Sequence, residues 1–246
     1  MKILLTNDDG YGSAGIQTLF ELLEGKHEVV MIAPHIDRSA ISHAITMNDP
    51  IEFIKKEKNM YTCSGTPVDC VAAGIMSIFN GEKPDLVLSG INCGGNLGTD
   101  IVFSGTVAAA RQAVMHAIPG IAVSLMQSDN GDYNFDALAN FVLQNLDTLA
   151  KMSYFDVLVN INAKSAPSYS HASFASISRR IFKSKGEIIT HAEGKKQFLY
   201  GGGTIETEND GTSDWDIVMN GGISVSQVYA QPVLDKKTSE SPIFKF

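Results

Sequence analysis

Basic residues are scarce in this chain: 19 Lys and Arg stand against 27 Asp and Glu, a formal net charge of −8. Holding an extended polyanion needs clustered cations to neutralise its phosphates, so extended nucleic acid is not an expected partner. Cysteine is scarcer still. Cys63, Cys70 and Cys93 are odd in number and lack Cys-x-x-Cys spacing, which argues against a disulfide framework or a zinc site and leaves them as reduced packing residues. The six histidines are scattered, with no pair placed to share one helical face; His35 and His43 lie in one loop and read as surface residues. No apolar run approaches the ~20 residues that span a bilayer, and no basic segment followed by a cleavable apolar core opens the sequence. The expectation is a cytoplasmic protein with no membrane partner. What is present is ordinary globular material, 246 residues with 44% hydrophobic and 19% charged, enough for one large domain or one domain with an appendage.

The most informative stretch is Lys2 to Gly15, KILLTNDDGYGSAG. Ile3, Leu4 and Leu5 form an apolar run of strand length, read as a buried parallel strand, so Asp8 and Asp9 stand at its carboxyl end. Ligands bind at that end of an open α/β sheet. Gly10, Gly12 and Gly15 match G-x-G-x-x-G, and Asp37 lies near the position of a ribose-binding acid, ~20 residues on, so a non-catalytic nucleotide or dinucleotide-binding module is one reading. Two carboxylates directly before the loop oppose it. At ~4 Å and an effective ε of ~20, each carboxylate would repel a phosphate charge by about 4 kcal/mol. A divalent cation bridging carboxylates and phosphate removes that conflict. The plain alternative is that Asp8 caps the helix and Asp9 faces solvent.

Onward, Ser13 to about Glu24 reads as an amphipathic helix ended by Gly25, and Val29 to Ala33 as a second strand. Pro34 to His43 is a polar loop leaving the same sheet edge as Asp8; Ser39 and Ser42 are turn residues or candidate hydroxyl ligands. Ile51–Ile54 and Met60–Cys63 read as a hairpin outside the parallel core. Thr66, Pro67 and Asp69 start a helix that continues through Phe79, with Asp69 serving the helix dipole. Leu86 to Leu88 form a buried strand followed by Asn92, whose amide oxygen suits a hard metal. Gly94, Gly95, Asn96 and Gly98 make a mobile, donor-rich loop. Ser104, Gly105 and Thr106 begin a helix through Ala117, whose first-turn amides bind an anion unless the start is a plain N-cap. Strands at Gly120–Leu125 and Asp156–Ile161 flank a helix over Phe135–Leu149.

The alternation specifies an α/β class: a doubly wound, mostly parallel sheet over residues 1–163, followed by a smaller β-rich region over 164–246. In that region Ile188–Ile189 and Phe198–Tyr200 are short apolar pieces, and Asp214–Met219 is a short helix. Gly201–Gly203 and the ending DKKTSESPIFKF suggest hairpins, an arm reaching a neighbouring subunit, or a frayed tail.

These motifs together resemble the SurE family, the stationary-phase survival proteins, which are metal-dependent nucleoside monophosphate phosphatases. The resemblance rests on NDDG at Asn7–Gly10, the Ala33-Pro34 dipeptide with the Ser39 loop, and SGTPVDC at Ser64–Cys70. SGIN at Ser89–Asn92, NLG at Asn96–Gly98, SGTV at Ser104–Val107 and GTSDWDIVMNGGISVS from Gly211 complete it. It implies a Rossmann-like catalytic domain and a C-terminal oligomerisation region that forms a homodimer or homotetramer by exchanging segments. It implies Asp8, Asp9, Ser39 and Asn92 as ligands of one Mg²⁺ or Mn²⁺ ion, with Asp8 and Asp9 catalytic. Gly10, Asn96 and the Ser104, Gly105, Thr106 helix start fall in the substrate phosphate region. The implied activity is that of a 5′-nucleotidase, with 3′-nucleotidase and exopolyphosphatase activities as extensions. Its nucleophile is a water positioned by the metal or one of the two aspartates; enzymes that form an obligatory aspartyl-phosphate usually separate their aspartates by one residue, so that both face one side. Two departures bear on substrate preference: Ala40 stands where the family commonly has glycine, and Phe103 where it commonly has tyrosine.

Overall fold

In the computed structural model, residues 1–191, 194–201, 203–208 and 210–233 are described; Gly202 and the ending DKKTSESPIFKF lie outside them. The first half alternates as the apolar periodicity requires: β1 (Lys2–Thr6), α1 (Ala14–Leu23), β2 (Glu28–Pro34), β3 (Phe53–Glu57), β4 (Met60–Cys63), α2 (Pro67–Ala73), β5 (Leu86–Cys93), α3 (Gly105–Met115), β6 (Gly120–Met126), α4 (Asp136–Met152) and β7 (Val157–Lys164). The nine-stranded sheet has the order β3-β4-β2-β1-β5-β6-β7, extended by β13 (Ile223–Tyr229) and β8 (Ala172–Phe174). From β4 to β7 neighbouring strands are parallel. This is the expected Rossmann-like, mostly parallel architecture.

The strand alternation of period two sorts the core. Ile3 and Leu5 face one side, packed with Ile16, Leu19, Leu138 and Val142 of α1 and α4; Leu4 and Ile32 face the other with Val71, Ala109 and Ala113 of α2 and α3. Both faces of the sheet are thereby covered, which is why its strands read as continuous apolar runs. The chain winds outward from β1 through β2 to β4, then returns to the other side of β1 and winds through β5, β6 and β7. The reversal lies between β1 and β5, whose tips pair Thr6 with Ser89. A crevice opens at the carboxyl ends of those two strands.

Several local expectations change. The β3–β4 hairpin is not outside the core, because β4 pairs in parallel with β2 and β3 becomes the sheet edge. The helix expected to run through Phe79 is α helical only to Ala73 and continues as a π turn over Gly74–Ile78. Asn92 does not follow β5 but lies within it, beyond a register irregularity between Ser89 and Asn92. The stretch after residue 164 is partly built into the main sheet, with β13 antiparallel to β7 and β8 parallel to β13. The rest forms two antiparallel pairs, β9 (Arg179–Lys183) with β12 (Thr204–Glu208), and β10 (Gly186–Thr190) with β11 (Lys196–Tyr200). The short helix α5 (Asp214–Met219) is present, started by a capping box of Ser213 and Asp216.

Candidate active site

At the end of β1 the buried side chain of Asn7 pins the turn that carries the two aspartates. Its Nδ2 donates to the Gly10 carbonyl (3.0 Å) and to Ser13 Oγ (2.7 Å), and its Oδ1 accepts the Gly10 amide (3.2 Å). Gly10 has φ +99°, a conformation that glycine alone adopts freely. The Tyr11 amide donates to the Pro34 carbonyl (2.8 Å) and the Ser13 amide to the Gly10 carbonyl (3.1 Å). The amides of Gly10, Tyr11 and Ser13 are thus engaged within the protein, so the structure does not present Gly10 to the crevice as a phosphate donor. Gly15 has a packing reason instead: a Cβ there would lie 1.9 Å from the Ile91 carbonyl oxygen.

Asp8 is 3% exposed and sits against the start of α3, where the Thr106 hydroxyl donates to it. Gly105 permits that approach, since a Cβ on it would fall 2.8 Å from Asp8 Cβ. Burial raises the Asp8 carboxyl to about 6; the Thr106 bond opposes the shift and repulsion from Asp9 adds to it. Asp9 accepts the Cys93 amide (2.8 Å), which ties it to the tip of β5, and burial raises it as well, with repulsion from Asp37 as a smaller cause. Ser39 donates its hydroxyl (2.6 Å) and amide (2.7 Å) to Asp37 Oδ1. Ser42 fastens that loop to the 3₁₀ turn at Gly98–Val102: its amide donates to the Phe103 carbonyl (2.9 Å) and its hydroxyl to the Val102 carbonyl (2.8 Å). Asn92 donates Nδ2 to the Gly94 carbonyl (2.7 Å), which leaves Oδ1 as the atom free to ligate.

A cleft of about 630 Å³ opens here, and Asp8, Ser39, Asn92, Asn96 and Ser104 line it. Asp9 reaches its edge through Cys93, while Gly105 and Thr106 stand behind Asp8 and do not line the wall. Among the described residues no Lys or Arg pairs with Asp8, Asp9 or Asp37, and no three His, Cys, Asp or Glu side chains cluster as a metal site. The donor set of two carboxylates, a hydroxyl and a carboxamide oxygen nevertheless suits a hard divalent cation, because it concentrates negative charge that no side-chain cation offsets.

The Asn96 loop, expected to be mobile, is anchored. The Asn96 amide donates to Asn162 Oδ1 (2.7 Å), its carbonyl accepts from Asn160 Nδ2 (2.9 Å) and Asn162 Nδ2 (3.1 Å), and its own Nδ2 donates to Ser124 Oγ (2.7 Å). Two residues after Asn96, the Gly98 amide donates to the buried Asp214 of α5 (2.8 Å), which also accepts the Ser178 amide (3.0 Å). Sequence reasoning missed Asn160, Asn162 and Asp214; polar residues inside the apolar strand at Val157–Ala163 were the available signal for the first two. It also read Cys93 as packing, whereas Cys93 is exposed and lines the cleft. Phe182, Ser184 and Tyr200 line it too, from a region where no motif marked them.

Comparison with known proteins shows the family and the fold. The sequence pattern of the family described as Survival protein SurE matches residues 3–184. A 5′-nucleotidase SurE of Treponema pallidum is 54% identical over 182 residues, 72% of this chain and 97% of that protein. A 5′-nucleotidase SurE of Thermosipho melanesiensis is 38% identical over 237 residues, 93% of this chain and 91% of that protein. The crystal structure of the SurE protein from Aquifex aeolicus superposes with a TM-score of 0.82 at 31% identity, covering 97% of each chain.

Proposed function

This chain belongs to the SurE family, and from that premise we propose that it is a 5′-nucleotidase, hydrolysing nucleoside monophosphates to nucleoside and phosphate with one Mg²⁺ or Mn²⁺ ion. The reading is supported by Asp8, Ser39 and Asn92 lining one cleft next to the start of α3, with Asp9 tied to the cleft residue Cys93 and, among the described residues, no Lys or Arg paired with either aspartate. Those four side chains would hold the ion, which when bound supplies Lewis-acid polarisation of a phosphoryl oxygen. The amino-terminal end of α3, beginning at Ser104, turns its positive pole toward the same place and favours the charge of the phosphate and of its transition state. Asn7 fixes the turn that carries both aspartates, Thr106 holds Asp8 and the Cys93 amide holds Asp9, an arrangement that limits reorganisation during the reaction. We favour water as the nucleophile, since Asp8 is already bonded by the Thr106 hydroxyl and Asp9 by the Cys93 amide. 3′-Monoesters and polyphosphate would meet the same phosphate end and are proposed as further substrates.

The rival of a dinucleotide-binding loop is disfavoured, because its Gly10 amide is already engaged with Asn7. We also propose a homodimer or homotetramer, supported by the exposed Ile188, Phe198 and Leu199 of the β10–β11 pair. The test is phosphate release from AMP by chelated protein, with Mg²⁺ and Mn²⁺ restored singly. Activity should return only with metal, and Asp8→Asn should remain at least ~100-fold impaired, the order of loss seen when a metal site is disturbed. Undiminished turnover in chelator would overturn the proposal.

A further inference from the structure

Asp37, placed by sequence spacing as the acid of a dinucleotide loop, turns its carboxylate to Ser39 instead. Its Oδ1 accepts both the Ser39 hydroxyl (2.6 Å) and the Ser39 amide (2.7 Å). The residue between them is held by its backbone and by its side chain. The Arg38 amide donates to the Asp8 carbonyl (2.8 Å), and the Arg38 Nη2 donates to the Ser64 carbonyl (2.9 Å) in the turn between β4 and α2. The same loop lies close against the turn after β1, where a Cβ on Gly10 would fall 3.3 Å from the Ile36 backbone. Ser39 thus lines the cleft one residue away from a backbone bond to Asp8, and Asp37 is near enough to Asp9 for the two carboxylates to repel.

Resting on the nucleotidase reading and its single divalent ion, we propose that Asp37 is a positioning residue for Ser39: it takes the hydroxyl hydrogen and so presents the lone pairs of Ser39 Oγ to the ion. A serine hydroxyl has one hydrogen and two acceptor lone pairs, and its hydrogen rotates to suit its surroundings. Left free, that hydrogen can point at a cation and spoil the oxygen as a ligand. Held by a carboxylate, it leaves the oxygen oriented and more electron-rich, the service that hydrogen-bonded outer partners give to metal ligands in general. An Asx turn that merely shapes the loop needs only the bond from the Ser39 amide. The second bond, made by the ligating oxygen itself, is what assigns Asp37 to the ion.

The experiment measures Mn²⁺ dissociation constants by calorimetry, at one pH and after chelation, for the wild type, D37A, D37N, S39A and the double variant carrying D37A and S39A. Both positions are exposed, so none of these changes opens the core. D37A should weaken Mn²⁺ binding by roughly 10- to 100-fold, the loss typical of an outer partner of a metal ligand, and S39A should weaken it at least as much. The double variant should bind within about threefold of S39A, because Asp37 acts through Ser39 and has nothing left to orient. D37N keeps an oxygen that accepts from Ser39 and should bind several-fold more tightly than D37A. The Mn²⁺ concentration for half-maximal phosphate release from AMP should follow the same order. Wild-type affinity in D37A, or single losses that multiply in the double variant, would overturn the positioning role. D37N as weak as D37A would assign Asp37 to the negative field of the site and overturn it too. Wild-type affinity in S39A, or no Mn²⁺ binding by the wild type, would instead overturn the metal reading on which it rests.

Discussion

Asp8 shows what the site costs the fold. A carboxyl raised to about 6 by burial holds its proton more tightly in the folded protein than in the unfolded chain. Its contribution to stability is therefore fully present below the unfolded value of 3.8 and is lost as pH rises through about 6. Denaturant melts of metal-free protein should show stability falling by on the order of 2 to 3 kcal/mol between pH 4 and pH 7 from this residue, and Asp8→Asn should flatten the decline. At the proposed metal site the same linkage would make Mn²⁺ compete with a proton, so affinity measured by calorimetry should drop as pH falls below about 6. Ala40 carries a second local strain. Its φ of 58° places a Cβ-bearing residue in the left-handed region, beside Ser39. Ala40→Gly should relieve it and add about 0.5 to 1 kcal/mol, read as a rise of ~1 to 4 °C in the thermal midpoint.

Among the elements, the encounter of β1, β5 and α3 decides whether the donors converge. Asp8, Asp9, Asn92 and the Ser104 helix start were legible in the sequence because each follows or ends an apolar run that reads as a strand, or opens a helix with a capping residue. The supports were less legible. Asn160 and Asn162 reach Asn96 from a strand two places away in the sheet, and Asp214 reaches Gly98 from 116 residues along the chain. No local pattern records such distances. The glycines also misled, since Gly10 and Gly15 look like a phosphate cradle and act as a turn and a helix–strand contact. Gly105 offers a direct check. In Gly105→Ala the new methyl would meet Asp8 Cβ at 2.8 Å and Oδ2 at 2.9 Å, so α3 or Asp8 must move. A loss of about 1 to 3 kcal/mol in stability, together with weakened Mn²⁺ binding, is expected from denaturant melts and calorimetry. Wild-type values in both would show that α3 does not position Asp8.

For the molecule as a whole, the doubly wound sheet followed from alternating strands and helices, whereas the entry of β13 and β8 into that sheet did not. A strand that returns after some 60 residues pairs by tertiary packing, which leaves no mark in its own periodicity. Phe174 at the end of β8 and Ile188, Phe198 and Leu199 in the β10–β11 pair beyond it are exposed, and apolar side chains grouped on a surface mark an interaction site. Light scattering at micromolar concentration should return twice or four times the 26.5 kDa chain mass, and Phe198→Asp with Leu199→Asp should lower it. The proposed chemistry requires one divalent ion held at the tips of β1 and β5. The direct measurement is an anomalous difference map from a crystal soaked in Mn²⁺ after chelation. A single strong peak within coordination distance of Asp8, Asp9, Ser39 and Asn92 is the predicted result, and a map with no peak between those side chains would contradict it.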